Sequence, residues 1–354
     1  MIAHHRFNSH HLASVGFRQP EEVVRWMGMV QAQDYLAALW AVGVRMEEAS
    51  EAAVEQALVE RRLVRTWPAR GTLHLAAAED VRWLLALLTP RAIAAAAGRH
   101  RQLGLEEADF ARARDLLIAA LQGGRQLRRE ALYGVLEAGG IATAGQRGIH
   151  VLGRLAQEGL LCFGVREGKQ QRFVLLDEWL PPTPTRPRDE ALAELSRRYF
   201  SSHGPAALAD FSWWAGLTLA EARAGVESAR SHLSSEVIGG QTTWRSASTP
   251  PPAALLPPVL LPAFDEYLVG YKNRDAVLDP AFVKAINAGG GLLNPAIVID
   301  GQVVGVWKRT LKKTAVVVSP AWFRPPNRWQ HQAYVQAAET YAAFLGFSLD
   351  KPMP

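Results

Sequence analysis

The chain has 354 residues, 49% of them apolar and 21% charged, with a net charge of +5, the composition of an ordinary globular protein with room for about two to four packed modules. Its single cysteine, Cys162, excludes an internal disulfide framework and a multi-thiolate zinc site. No apolar run approaches the roughly 18 residues of a membrane span and the N-terminus lacks a charged-then-apolar leader, so a cytoplasmic protein without membrane contact is expected.

The opening "MIAHHRFNSHHL" carries His4, His5, His10 and His11 without matching acidic partners. It reads as a mobile start, and no metal site is expected. Residues 20–30 have helical spacing, and then "MGMVQAQDYLAALW" sets Gln31 and Gln33 on either side of Ala32. Side chains two apart share a face only in an extended segment; in a helix they point nearly oppositely. The pair is either extended and jointly used, with Ala32 packed behind, or a helix end with solvated amides. Residues 51–60 again read as a helix. "LVRTWPARGTLHLA" reads as a hairpin, and 79–103 as further helix.

Residues 107–180 give the clearest fold signal. Two helical stretches end on the pairs Gly123–Gly124 and Gly139–Gly140, and a third opens near Thr143, a candidate N-cap, and runs to Gly159. Two β-rich runs follow around the turn "REGKQ". Three helices and a hairpin make a winged helix, and the proline-rich "EWLPPTPTRPRDE" closes it. The order recurs in helices at 189–202, 205–215 and 218–232 and a hairpin turning at Gly239–Gly240, followed by "TPPPAALLPP". With that template, the N-terminal helices and hairpin form a third, less regular copy. The last hundred residues are Val-rich, turn at Asp300–Gly301 and end in a helix over "QHQAYVQAAETYAAFLG".

The expected fold class is therefore α+β and predominantly helical, with three tandem winged-helix modules and a small C-terminal β-rich domain. The boundaries are 1–104, 105–182, 189–249 and 254–354. The segment 301–338 holds Lys308, Arg309, Lys312, Lys313, Arg324 and Arg328 and no acid. That is either a footprint for a polyanion or a solvated sheet edge. A winged helix commonly puts its third helix in the major groove of DNA. Gln146 and Arg147, at the start of such a helix, either contact DNA or are a solvated helix start.

Several segments in order resemble the AlkZ-like DNA glycosylases along nearly the whole chain. They are "VQAQ" at 30–33, "RTWPARGTLHL" at 65–75, "HGPAALADFSWWAGL" at 203–217, "LLPAFDEYLVGYKNR" at 260–274 and "VVGVWKR" at 303–309. The resemblance implies three tandem winged helices and a catalytic Gln-x-Gln motif, which falls on Gln31 and Gln33. The related AlkX-type branch has Asp at the second position; Asp34 is out of register with it and receives no such role. The implied function is DNA repair by a monofunctional glycosylase acting on N7-alkylated purines, including bulky adducts or interstrand crosslinks. No cofactor is implied.

A purine alkylated at N7 already carries positive charge and leaves as a neutral base, so little acid catalysis is needed. What remains is to hold a water at C1′ while the sugar becomes cationic, and amides suit that positioning role. The expected partner is double-stranded DNA containing alkylated bases. Lys308, Arg309, Lys312 and Lys313 are expected on its phosphates and Arg70 near the site. A single-chain clamp needs no second copy, so a monomer is expected. His74 and His203 are either site residues or hydrogen-bonded structural ones, and the tryptophans are expected in the core. The rival reading is a non-enzymatic winged-helix DNA-binding protein or transcriptional regulator, which would tolerate loss of the glutamines.

Overall fold

One order of elements occurs three times along the chain. The first copy is the helix Pro20–Met27, the strand Val30–Gln31, the helices Tyr35–Gly43 and Glu51–Val59, and the hairpin Leu63–Ala69/Thr72–Ala77. The second is Glu107–Leu121, Leu127–Arg128, Arg129–Ala138, Arg147–Gln157, and Leu161–Phe163/Arg172–Leu175. The third is Arg188–His203, Ala206–Ala207, Leu208–Ala215, Leu219–Ser228, and Leu233–Ile238/Gln241–Ser246. In every copy the two-residue strand pairs with the second arm of the hairpin, giving three sheets of identical order. The computed structural model describes residues 1–14, 16–184, 186–248, 251 and 255–350. Half of the proline-rich segment read at 249–258 lies outside them.

Turn chemistry accounts for the hairpins. Arg70–Gly71, Gly239–Gly240 and Asp300–Gly301 all have positive φ at both central residues, the backbone twist that two-residue hairpin turns require. Helix starts follow capping rules. Ser50 accepts from the Ala53 amide and Thr218 from the Glu221 amide, the latter within a reciprocal capping box. The N-cap of Arg147–Gln157 is Gln146, in a left-handed conformation, and not Thr143. The Thr143 hydroxyl turns instead to Glu137.

The 22-residue helix Val81–Gln102 joins the first two copies. By length and composition alone it could cross a membrane, but Leu84, Leu85, Leu87 and Leu88 are buried inside the protein. The C-terminal part is a five-stranded sheet with the helix Arg328–Phe344 packed on it.

Three cores hold these parts together, and each of them crosses a boundary read from sequence. The first joins Phe7, Val24 and Trp40 to Leu260, Val298 and Tyr341. The second joins Met29 and the long helix to Tyr199, Phe200 and Trp214 of the third copy. The other surrounds Leu117, Leu132 and Leu152 of the second copy, with Trp67 reaching in from the first hairpin.

The N-terminus is not a mobile tail. Ile2–Ser9 is a helix, and Phe7 and His10 are fully buried. His10 Nε2 lies 2.9 Å from the Tyr271 hydroxyl, and the His10 carbonyl accepts from Arg45 Nε at 3.0 Å. The N-terminal histidine is thus spent on tying this helix to the segment after residue 260.

Candidate active site

Residues 29–34 run extended for local reasons. Gly28, at φ +80°, stops the preceding helix. Asp34 starts the next one by accepting from the Ala37 amide at 3.1 Å, which is the role of that out-of-register acid. Between them Val30 pairs with Leu75 and Gln31 with His74. The Ala32 amide donates to the Leu73 carbonyl at 2.7 Å. Ala32 is fully buried, so Gln31 and Gln33 share the other face, Gln31 almost covered and Gln33 exposed.

Both amide oxygens have partners. Gln33 Oε1 lies 3.4 Å from the Leu73 amide, and Gln31 Oε1 lies 3.4 Å from Arg70 Nη2. Each amide nitrogen is left to face the surroundings, and each oxygen keeps a second lone pair. Arg70 sits at the tip of the first hairpin with φ +52°. It donates to the Trp214 carbonyl at 2.7 Å and lies over the Trp213 ring, 4.9 Å from its centroid. Trp214 is buried in the core, whereas Trp213 is partly exposed.

Arg70 also divides two cavities. One, of about 610 Å³, opens beside Gln33 against Trp67, Arg91, Ala95, His150 and Arg154. The other, of about 450 Å³, opens beside Gln31 against Thr72, Trp213, Phe264, Arg274 and Leu292. Arg70 lines both, and among the described residues neither an acid nor a lysine lines them.

Buried polar groups support the strand from behind. Arg65 donates to the Ala32 carbonyl from Nε and Nη2 at 3.0 and 2.8 Å. Burial pushes its guanidinium down to about 10. Glu266 Oε1 accepts from the Gln31 amide at 2.7 Å, and Oε2 accepts from Trp214 Nε1 at 2.8 Å. His203 Nε2 stands 3.7 Å from the same carboxylate. Burial alone would raise the Glu266 carboxyl; His203, with the Gln31 amide, brings it below the ordinary range. The neighbouring Asp265 makes a two-pronged bond to Arg45, at 2.9 and 2.8 Å, with both side chains buried.

His74 is buried beside this group. Its Nδ1 faces the Thr72 carbonyl at 3.0 Å and so carries the hydrogen, which leaves Nε2 a lone pair without a partner among the described residues. Burial, with Arg70 adding, pushes its pKa down to about 4, so the ring is neutral.

The other residues singled out from sequence stand apart from both cavities. Gln146 accepts from Arg99 at 2.9 Å. Arg147 gives its guanidinium to the backbone carbonyls of Ala142, Leu103 and Gly104. Lys308 and Arg309 are successive residues of the strand Gln302–Leu311 and face opposite sides. Lys308 is exposed, while Arg309 reaches the Tyr341 hydroxyl of the packed helix. Lys312 pairs with Asp350, and Lys313 is exposed beside it. Sequence reasoning missed Arg65, Arg91, Arg274 and Glu266. Of these only Glu266 carries a local signal, an acid pair enclosed by the apolar "LLPAF" and "YLVG".

The site is thus an extended Gln-x-Gln segment paired with the second arm of the first hairpin, in the first of three copies of one helix-and-hairpin unit. The profile of the DNA glycosylase AlkZ-like family matches residues 24–344, and the chain belongs to that family. It is 26% identical over 346 residues to an interstrand DNA cross-link repair glycosylase of Streptomyces sahachiroi, covering 92% of this chain and 89% of the relative. It also shares the fold of the solved DNA glycosylase AlkZ of Streptomyces sahachiroi, with a TM-score of 0.81, 23% identity, and coverage of 99% and 98% of the two chains.

Proposed function

We propose that this chain is a monofunctional DNA glycosylase that hydrolyses the N-glycosidic bond of N7-alkylated purines in double-stranded DNA, including bulky adducts and interstrand crosslinks. The observation that carries the reading is the extended Gln31–Ala32–Gln33 segment, with both amides facing open cavities and Ala32 buried behind them. Gln31 and Gln33 hold a water below C1′ and contact the sugar, which becomes cationic as the neutral base departs. The relative named for interstrand cross-link repair supports the larger substrates. Cavities of about 610 and 450 Å³ leave room beside the glutamines for an adduct.

The monofunctional reading rests on chemistry. A strand-cutting glycosylase uses an amine nucleophile, and among the described residues no lysine lines either cavity. The three repeated units act as winged helices, with the modules at 1–104, 105–182 and 189–249 and the C-terminal domain at 254–354. Arg70 and Arg91 meet phosphates near the site, and Lys308, Lys312 and Lys313 meet them further off. Arg309, Gln146 and Arg147 have internal partners and contribute less to DNA contact. The protein works in the cytoplasm as a monomer, without a cofactor.

The test is base release from duplex DNA carrying a single N7-methylguanine, by the wild type and by Gln31→Ala/Gln33→Ala. Release by the wild type, lost in a variant that still binds DNA, is the expected result. Release undiminished in the variant refutes the Gln-x-Gln mechanism. DNA binding with a sequence preference and no release from alkylated duplexes returns the protein to the class of regulators.

A further inference from the structure

The Glu266 carboxylate sits behind the first glutamine and touches both halves of the site. It is fully buried. Oε1 takes the amide of Gln31, and Oε2 takes the indole of Trp214. Trp214 in turn presents its carbonyl to Arg70, whose guanidinium reaches the side chain of Gln31. One acid therefore fixes Gln31 through its main chain and through the Trp214–Arg70 arm.

The charges make a second point. Arg70 places a positive charge 3.4 Å from the Gln31 amide oxygen. A cationic sugar forming in front of Gln31 is opposed by that charge unless a negative one is fixed nearby. Among the described residues, Glu266 is the acid bonded to this segment. A buried carboxylate is screened less than one in water, and a preorganised charge needs no rearrangement when the transition state forms.

We propose that Glu266 is a positioning residue for base excision: it fixes the register of Gln31 and supplies the counter-charge to Arg70 that lets a cation develop at the sugar. This rests on the glycosylase reading above. A glutamine at 266 keeps the size but removes the charge. Its single oxygen accepts from Gln31 or from Trp214 and turns its own NH₂ toward the other donor.

Two measurements test this, one without turnover. The first compares affinity for two duplexes, one with a pyrrolidine abasic nucleotide, cationic at neutral pH, and one with the neutral tetrahydrofuran analogue. The wild type is expected to favour the cationic probe over the neutral one, and Glu266→Gln to lose that preference. The second is single-turnover release of N7-methylguanine. Glu266→Gln is expected to lower the rate by about 100-fold, the scale of removing one preorganised electrostatic partner. In a Gln31→Ala background the same change should cost less than in the wild type, because the part that acts through the Gln31 side chain is already lost while the counter-charge part remains.

A cation preference that survives Glu266→Gln, or a rate loss that simply multiplies with that of Gln31→Ala, overturns the proposal. So does a wild type with no cation preference. If Glu266→Gln fails to fold, Glu266→Asp decides, since it keeps the charge and shortens the reach. Cation preference must then persist while the rate falls, and its disappearance refutes the counter-charge. A Glu266-dependent cation preference without release of N7-methylguanine leaves the inference standing and removes N7-methylguanine from the substrates of the proposed function.

Discussion

Arg65 grips the carbonyl of Ala32, the residue between the two glutamines, with two hydrogen bonds of 3.0 and 2.8 Å. It comes from the neighbouring hairpin and lies over the Phe163 ring, 4.9 Å from its centroid. A lysine cannot reproduce a planar fork. Arg65→Lys is therefore expected to lower single-turnover base release by about tenfold, the order that small misplacement of a reacting group produces, while DNA affinity stays the same. Rates and gel-shift affinities measured on one preparation check this. A variant as fast as the wild type would show that the grip is unnecessary.

Arg91 and Arg147 are both arginines of the helical scaffold, yet they should behave oppositely. Arg91 is exposed on the wall of the cavity beside Gln33 and makes no ion pair among the described residues. Arg147 is committed to three backbone carbonyls. Each phosphate contact contributes about 0.9 to the slope of log K against log salt for duplex DNA. Arg91→Ala is expected to flatten that slope by about one contact. Arg147→Ala should leave it intact and lower the melting temperature instead. Titrations at several salt concentrations, paired with thermal melts, separate the two.

These residues also mark what the sequence made readable. Local signals sufficed for the hairpin turns and the helix over Val81–Gln102, because periodicity and turn residues act over a few positions, whereas they left the Gln31–Gln33 segment open between an extended run and a helix end. The helix Tyr35–Gly43 was missed: it is apolar nearly all round and shows no amphipathic period. The packing of the N-terminal helix was also hidden, since His10 finds Arg45 and Tyr271 only in three dimensions. The same holds within the site. Gln31 was legible from family resemblance, but Glu266 lies 235 positions away and meets it through the fold alone. The basic run at 308–313 was legible as charge, and the pleat then turns Arg309 inward toward Tyr341.

His74 gives a pH dependence of stability. Its folded pKa is about 4, against the ordinary value of 6.5, because of burial with Arg70 adding. The unfolded chain takes up the proton first, so stability falls as pH drops from 6.5 to about 4 and is complete above that window. The contribution is about 3 kcal/mol across it. His10 and His203 are also shifted down by burial and act in the same direction. His74→Asn keeps a donor for the Thr72 carbonyl and does not titrate. Urea unfolding at pH 7, 6, 5 and 4 should show a shallower loss for this variant than for the wild type. Parallel curves would mean that His74 does not titrate in this window.

Gly270 clears the space in which His203 approaches Glu266. A Cβ at this position would lie 2.5 Å from His203 Cδ2 and 2.5 Å from the Glu266 carbonyl oxygen. Its φ is not in the left-handed region, so backbone freedom is not the reason for glycine here; close packing is. His203 has little freedom to yield, being enclosed by Tyr199 at 4.6 Å and Trp214 at 5.3 Å between ring centroids. Gly270→Ala is therefore expected to cost about 1–3 kcal/mol, the usual range for overpacking a filled core. Because the strain falls on His203 and Glu266, base release should also slow under conditions where the variant is fully folded. Gly346, at a helix end with nothing near its Cβ position, serves as a comparison, since Gly346→Ala carries only the backbone strain of its positive φ. A denaturation midpoint and a single-turnover rate for each variant decide the matter. A slowed rate in Gly270→Ala but not in Gly346→Ala ties the loss to the packing around Glu266; equal rates would mean that this packing can relax without disturbing Gln31.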